Sequence, residues 1–304
     1  MKTKIHRILC ATDFSDVSRM VVPYGIELAA ELNAELYVAH VIDLPTISVY
    51  GEAVFDPITQ QQRFMEFARR EIENQLKQAS VEATPLITIG HATEEIASMA
   101  ADYDVDLVIA ATHGRSGIKR LFLGSVTARL MRMLSCPILV LRTIEELEKP
   151  HRQTIPFKRI LVGCDFSEDS DAAVECSVNI AQEFEAELHL VHVVEPTQYK
   201  DHLTFPAQTG DPLPADLHDA IKQKLSAMVP ADAANWCEEI KTSVLVGKPY
   251  AELVRFADLY DMDMIALGVR GHGMVEHLLV GSTTDRVVRR APCPVLSVNP
   301  AVRQ

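Results

Sequence analysis

The residues of this chain whose types and spacing imply chemistry are glycines followed by hydroxyls. Gly268 and Gly271 close an apolar run that begins at Met264. Nine residues, His272 to Val280, separate Gly271 from Gly281-Ser282, and Thr284 follows. A backbone that wraps an anion must approach it closely, and a Cβ would block that approach. Backbone N–H groups then converge on the anion, and the N-terminus of a following helix adds partial positive charge. Ser282 and Thr284 add hydroxyl donors at the same end. The chemistry implied is the holding of a phosphate.

The arrangement occurs twice. Leu107 to Leu141 repeats the pattern of Met264 to Val298 with Gly114, Gly124, Ser125 and Thr127. Gly271 minus Gly114 is 157, as is Gly281 minus Gly124, and Cys136-Pro137 recurs as Cys293-Pro294 at the same offset. One position departs: Ala111 stands where the second copy has Gly268. The repeat reaches further back. Ile5 to Ser15 ends in Asp13-Phe14-Ser15, and Phe157 to Ser167 ends in Asp165-Phe166-Ser167, with Asp165 minus Asp13 equal to 152.

Glycine loops need rigid elements to aim them, and the pattern supplies these in order. Each half opens on an apolar strand covered on both faces, which implies a parallel sheet. Ser15 and Ser167 are N-cap types for helices running to about Leu32 and Phe184. Pro23 within the first of these predicts a kink or a shifted start. Strands follow at Glu35–Val41 and Glu187–Val193, then long irregular segments, 42–59 and 194–214, of a length associated with function or mobility. Helices with apolar stripes come next: Phe64, Phe67, Ala68, Ile72 and Leu76 in one half, Leu217, Ile221, Leu225 and Met228 in the other, both read as core packing. Short strands Leu86–Ile89 and Val244–Val246 end at Gly90 and Gly247. A further helix, the strand before the glycine loop, the helix after it and a last strand (Ile138–Leu141, Val295–Val298) complete each half. The expected class is α/β, with two tandem open parallel five-stranded sheets and helices on both faces. The domains are 1–146 and 157–304, joined by a polar, proline-bearing linker over 147–156. In such a sheet a ligand lies beyond the strand C-termini where the strand order reverses. Asp13 and Asp165 end the first strand of their halves and the glycine loops end the fourth, so neighbouring strands would bring them to one crevice.

Composition sets the outer limits. The chain has 304 residues, 48% hydrophobic and 23% charged, enough for two ordinary globular domains. A net charge of -13 opposes nonspecific nucleic-acid binding. With no long apolar run and no signal peptide at the N-terminus, no membrane insertion and a cytoplasmic location are expected. The six cysteines form no C-x-x-C pair and read as reduced, buried thiols. His40 and His192, which recur at the end of the second strand, read as packed, hydrogen-bonded residues. Arg129, Arg132, Arg286 and Arg289 lie beyond the first helical turn and read as solvated.

With these residues in view, the chain resembles the universal stress protein family in its tandem two-domain form, over nearly its whole length. Nucleotide-binding members of that family carry Gly-x2-Gly-x9-Gly-Ser/Thr. Gly268, Gly271, Gly281 and Ser282 match it fully; Ala111, Gly114, Gly124 and Ser125 match it except at the first position. The resemblance implies a Rossmann-like fold of the adenine nucleotide alpha hydrolase type that binds ATP, with Mg²⁺ entering on the phosphates. By it, Asp13 and Asp165 face the adenine, and the backbone of Val41 and Val193 reads the adenine edge. Gly114, Gly124, Ser125 and Thr127 hold ribose and phosphates in the first half; Gly268, Gly271, Gly281, Ser282 and Thr284 do so in the second. The family also pairs domains through the last strand, which implies pairing of the two halves along Ile138–Leu141 and Val295–Val298, with a homodimer as a further form. Against phosphate charge the first half offers Arg115, Lys119 and Arg120 from its loop. In the second, the loop itself carries Glu276, and Arg270, His272 and His277 are the groups available.

Other nucleotide folds are excluded by their motifs. Neither half contains G-x-x-x-x-G-K-[ST]. The run from Gly268 to Gly273 reverses the order of the dinucleotide fingerprint and follows the fourth strand rather than the first. H-E-x-x-H and G-x-S-x-G are absent. Three functions stay open at this point: a nucleotide-binding regulatory protein of the stress response, a slow ATP hydrolase or transferase, and a nucleotide-independent scaffold or small-molecule carrier. Phosphoryl transfer needs a positioned water, an orienting group and charge neutralisation. No lysine-plus-acid set recurs in both halves to meet that need, so strong catalysis is not expected.

Overall fold

A computed structural model describes residues 4–43, 57–77, 79–112, 123–142, 155–195, 213–231, 233, 237, 239–271 and 280–300. Residues 5–143 form one compact unit; residues 144–304, with 1–4, form another. The central parts of segments 42–59 and 194–214, and most of the linker, lie outside the described residues.

The first unit runs β1 (Arg7–Ala11), α1 (Val21–Leu32), β2 (Glu35–Ile42), α2 (Pro57–Leu76), β3 (Ala83–Ile89), α3 (Ala92–Asp102), β4 (Leu107–Ala111), α4 (Ser125–Met133) and β5 (Ile138–Leu141). The second runs β6 (Arg159–Gly163), α5 (Glu168–Phe184), β7 (Glu187–Val194), α6 (Ala215–Met228), β8 (Ile240–Val246), α7 (Pro249–Leu259), β9 (Met264–Gly268), α8 (Ser282–Arg290) and β10 (Val295–Val298). Every described strand pairing within a unit is parallel, in the orders β3-β2-β1-β4-β5 and β8-β7-β6-β9-β10. Both units are therefore open α/β sheets with helices on both faces. β4, β5, β9 and β10 are buried at every residue, as strands covered on both sides must be.

The order reverses between β1 and β4, and again between β6 and β9, with Ile160 opposite Met264 and Val162 opposite Ala266. A carboxylate locks each of these pairs at its lower end. Asp106 accepts the backbone N–H groups of His6 and Arg7 at 2.7 and 2.9 Å, and Asp263 accepts those of Lys158 and Arg159 at 2.8 Å each. The upper ends of the same strands carry Asp13, Asp165 and the glycine loops.

The structure departs from the sequence reading in three places. The strands expected at Leu86–Ile89 and Val244–Val246 begin earlier, at Ala83 and Ile240. Their first residues (Ala-Thr-Pro and Ile-Lys-Thr-Ser) sit at the end of the strand order, where half-exposure erases the apolar signal. Helix α1 begins at Val21 after a short 3-10 turn over Ser18–Met20, so Pro23 falls in its first turn and shifts the start rather than kinking the helix. In α5, by contrast, Ser167 caps directly by accepting the Ser170 N–H at 3.2 Å. Finally, Ala68 and Ile72 of the α2 stripe are buried but Phe64 and Phe67 are 41% and 55% exposed. Only the inner half of that stripe reaches the sheet. All six cysteines are free thiols, as expected; Cys10, Cys164, Cys237 and Cys293 are buried, whereas Cys136 and Cys176 are only half-buried.

Candidate functional site

The site in the second unit begins with the turn after β6. Phe166 takes a left-handed backbone, φ 65°, a conformation that costs an L-residue with a Cβ about 1 kcal/mol or more. The turn is held regardless. Asp165 Oδ1 accepts the Ser167 N–H at 3.1 Å and its hydroxyl at 2.5 Å, and the Phe166 ring lies on His192 with centroids 4.6 Å apart. His192 donates from Nδ1 to the Cys164 carbonyl at 2.7 Å; a carbonyl only accepts, so Nδ1 carries the proton. Burial pushes the imidazole pKa down, against the raising effect of that hydrogen bond and of Asp165. The first unit repeats the device. Phe14 has φ 61° and lies on His40, with centroids 4.1 Å apart. His40 donates from Nδ1 to Thr12 O at 2.8 Å, and Asp13 Oδ1 accepts from Ser15 N at 3.0 Å and Ser18 Oγ at 2.6 Å. Both histidines are the packed, bonded residues expected. The strained phenylalanine was not foreseen, although its recurrence in both halves was the available signal.

Opposite this turn stand the glycines. A Cβ on Gly271 would lie 2.8 Å from Asp165 Oδ2, so the loop after β9 and the turn after β6 abut with no room for a side chain between them. Gly281 donates its N–H to Val269 O at 2.8 Å, and a Cβ there would meet that oxygen at 3.1 Å and Arg270 Cα at 3.6 Å. Gly281 is thus spent on closing the loop, and Gly124 N→Thr112 O at 2.7 Å is its counterpart. Gly268 serves packing. A Cβ there would meet Asp169 Cβ at 2.5 Å and its backbone carbon at 2.8 Å, so the glycine admits helix α5 rather than a ligand. Ala111 follows from this: α1 starts later than α5, and a methyl group is accommodated at 6% exposure.

Two further expectations change. Thr284 and Thr127 were read as hydroxyl donors to phosphate. Each instead donates to the last carbonyl of the preceding strand, Gly268 O and Ala111 O, both at 2.7 Å. They anchor α8 and α4. Arg270 was read as a counter-charge for phosphate. Its guanidinium is held by Asp169 through bonds of 3.1 and 3.2 Å, its backbone N–H by the same carboxylate at 3.0 Å, and it also reaches Asn299 at 3.1 Å.

At the opening of α8 no side chain caps the first turn, with Gly281 as N-cap; the same holds for α4, with Gly124 as N-cap. Such a terminus carries N–H groups and partial positive charge toward whatever lies in front. In front of α8 is a cavity of about 590 Å³. Its lining includes Asp165, Val193, Gly268, Gly271, Gly281, Ser282 and Thr284, all seven of the residues expected in this half. Lys224, Lys248 and Arg286 also line it, with Glu195 as a second carboxylate. None of the three cations was expected there. Lys224 lies over the Phe166 ring, 4.0 Å from its centroid. In the first unit Asp13 and Val41 stand at the ends of β1 and β2, and Gly124, Ser125 and Thr127 at the start of α4, whereas Gly114, with Arg115, Lys119 and Arg120, lies outside the described residues, as do His272, Glu276 and His277. Among the described residues no cluster of three or more His, Cys, Asp or Glu could hold a metal ion, and no helix is long and apolar enough to cross a membrane.

The doubled geometry has a counterpart in known proteins. The model of the universal stress protein family matches residues 4–142 and again residues 156–299. The chain belongs to that family. It is a tandem, two-domain universal stress protein, and a stress-response role goes with that membership. A universal stress protein of Methanocaldococcus jannaschii is 34% identical over 142 residues, covering 47% of this chain and 82% of its own length. One from Synechocystis is 23% identical over 314 residues, covering 95% of this chain and 98% of its own. The crystal structure of a universal stress protein from Archaeoglobus fulgidus aligns with a TM-score of 0.70 at 22% identity, over 97% of this chain and 99% of that one. The last likeness is one of fold.

Proposed function

We propose that this universal stress protein binds an adenine nucleotide, ATP with its Mg²⁺, in the crevice of the second unit, and that binding rather than turnover is its activity. The single observation that carries the reading is the abutment of Asp165 and Gly271 in the wall of a cavity that the open end of α8 also lines. A volume of about 590 Å³ suits a ligand of nucleotide size, small-molecule sites spanning roughly 300–1,000 Å³. Val193, the penultimate residue of β7, presents backbone groups for a base edge; the N–H groups of Ser282 and Thr283 present the anion-binding end. The first unit, built on the same turn and the same uncapped helix, is read as a second nucleotide site. Bound nucleotide would alter the surface offered to partners.

Turnover is not part of the reading because hydrolysis needs a group that orients water at the terminal phosphate. Of the two carboxylates lining the cavity, Asp165 is engaged by Ser167 at the foot of the turn. The test is mass spectrometry of small molecules released when the purified protein is denatured, with ATP titration of the stripped protein. ATP or ADP is expected at one or more per chain. Gly281→Val drives its side chain into the Val269–Arg270 backbone and displaces the loop from Asp165; it is expected to abolish binding in the second unit. No nucleotide, together with an unchanged titration in that variant, would overturn the proposal. Phosphate release that stayed linear over many turnovers would replace it with the hydrolase reading.

A further inference from the structure

The cavity has a corner that the glycine loop does not supply. It lies between the start of α7 and the second turn of α8, and its side chains are Lys248, Tyr250 and Arg286. Ser282 and Arg286 are one helical turn apart, so both stand on the face of α8 that lines the cavity. The Arg286 guanidinium lies 4.9 Å above the Tyr250 ring, with that of Arg290 5.1 Å from the same ring. The aromatic surface holds a cation in place without neutralising it.

The two halves of the chain provide an internal comparison. Helices α3 and α7 are 157 residues apart, as are the helices that follow the glycine loops, so Arg286 corresponds to Arg129. In the first unit Arg129 is taken by Glu94 at 2.7 Å. The residue matching Glu94 in the second unit is Ala251, the one matching Thr93 is Tyr250, and the one matching His91 is Lys248. At this corner the second unit has one carboxylate fewer and one lysine more than the first. Asp285, the nearest acid on α8, is bonded to Arg289. Among the described residues neither Lys248 nor Arg286 takes part in an ion pair. Of the other cations lining the cavity, Arg270 is neutralised by Asp169, and Lys224 lies over the Phe166 ring on the side of the Asp165 turn, away from this corner.

We infer that Lys248 and Arg286, with Tyr250 as their platform, are the side chains by which the second unit reads the number of phosphates on its nucleotide. The inference rests on the nucleotide reading above and adds what that reading lacks, a counter-charge. The second unit's loop carries no lysine or arginine between His272 and Val280; the counter-charge comes from the α7–α8 corner instead. Exposed cations at a rim act through long-range attraction that salt screens, and their effect grows with the charge of the ligand. A triphosphate therefore gains more from this corner than a monophosphate does.

The test uses the full chain and reads the second unit separately. Hydrogen–deuterium exchange of peptides within 264–271 and 280–290 is followed while ATP or AMP is added. The wild type is expected to gain protection at ATP concentrations well below those of AMP, with the difference shrinking as salt rises. Lys248→Gln and Arg286→Gln are each expected to weaken ATP about tenfold, the scale of one charge-assisted contact, and to shift AMP by less than about threefold. Tyr250→Ala should follow Arg286→Gln, and Tyr250→Phe should not. Arg129→Gln, in the first unit, should leave these peptides unchanged. Exchange without nucleotide verifies that each variant is folded, and the two cation variants test the idea independently. Equal losses for ATP and AMP, or no loss for either, would overturn the phosphate-counting role while leaving the nucleotide site standing. A wild type that gains protection from neither ligand would overturn the site and this role together.

Discussion

Oδ2 of Asp165 stands 2.8 Å from the point a Cβ on Gly271 would occupy. The contact joins the end of β6 to the loop after β9 at the place where the strand order reverses. Gly271 has no positive φ, so its glycine is required by proximity and not by backbone conformation. Gly271→Ala should force the Asp165 carboxylate off Ser167. Because the displaced atom ends a side chain, the stability cost is expected to be about 1 kcal/mol, whereas ATP binding in the second unit should weaken about tenfold. The coupling is checked by a double-mutant cycle in calorimetric titration. Asp165→Ala/Gly271→Ala should bind no more weakly than Asp165→Ala alone, since the methyl group then meets nothing. Additive losses would show that Gly271 acts on the ligand directly.

The position three residues earlier obeys a different rule. A methyl group on Gly268 would fall 2.5 Å from Asp169 Cβ and 2.8 Å from its backbone carbon, in the first turn of α5. Backbone cannot yield as a side chain end does. Gly268→Ala is expected to destabilise the second unit by about 1–3 kcal/mol in urea unfolding. The mirror change, Ala111→Gly in the first unit, removes a buried methyl and adds backbone freedom within a strand. It should cost about 0.5–1 kcal/mol and should not alter ATP binding there. A gain in first-unit affinity on Ala111→Gly would show instead that the Ala111 methyl group obstructs the ligand.

This contrast marks where sequence reading succeeds and where it stops. Buried strands such as Leu107–Ala111 and Val295–Val298 show in the sequence because every residue is apolar, and the equal spacing of the repeats fixes their order twice. Strand neighbours could be argued from right-handed crossovers, and with them the meeting of Asp165 and Gly271. What a glycine is for could not be read, since Gly268 and Gly271 look alike and one faces a helix backbone, the other a carboxylate. Partner choice was hidden for the same reason. Arg270 and Asp169 are 101 residues apart, and Thr284 bonds a carbonyl 16 residues away. The offset of 157 did carry the Glu94-to-Ala251 exchange, but its meaning depends on Arg129 lying within reach of Glu94.

The Asp169–Arg270 pair gives a stability prediction with an unequal pair of outcomes. Asp169 is 6% exposed, while the guanidinium retains more contact with water. Removing the arginine strands the more buried charge, and breaking a buried pair costs about 3–5 kcal/mol. Arg270→Met is therefore expected to cost about 3 kcal/mol and Asp169→Asn, which keeps an acceptor for Arg270, about half as much. Asp169→Asn/Arg270→Met should be more stable than Arg270→Met alone. Chemical unfolding of the four proteins checks the order, and equal losses for the two single variants would show that water screens both groups alike.

His192 makes stability depend on pH in a defined window. Burial is the largest influence and lowers its pKa from the ordinary 6.5; the bond to the Cys164 carbonyl and the charge of Asp165 oppose it, and Lys224 adds to it. The unfolded chain therefore takes up a proton at higher pH than the folded one. Above about 6.5 both states are neutral at this residue and its contribution is fully present; as pH falls below that value toward the lowered folded pKa, the unfolded state is favoured and stability is lost. His189 is shifted in the same direction by burial, with Glu187 opposing, and adds to the slope. Glu187 itself is lowered from 4.5, chiefly by Lys241, so its own loss comes at more acid pH and does not overlap this window. Thermal unfolding midpoints should be level from pH 8 to 7 and fall from pH 6.5 to 5.5. His192→Asn should flatten that fall, and His192→Asn/His189→Asn should flatten it further while lowering stability at pH 8. A wild type that grew more stable between pH 6.5 and 5.5 would mean the imidazoles are charged in the fold, with the bond to the Cys164 carbonyl and the charge of Asp165 outweighing burial at His192.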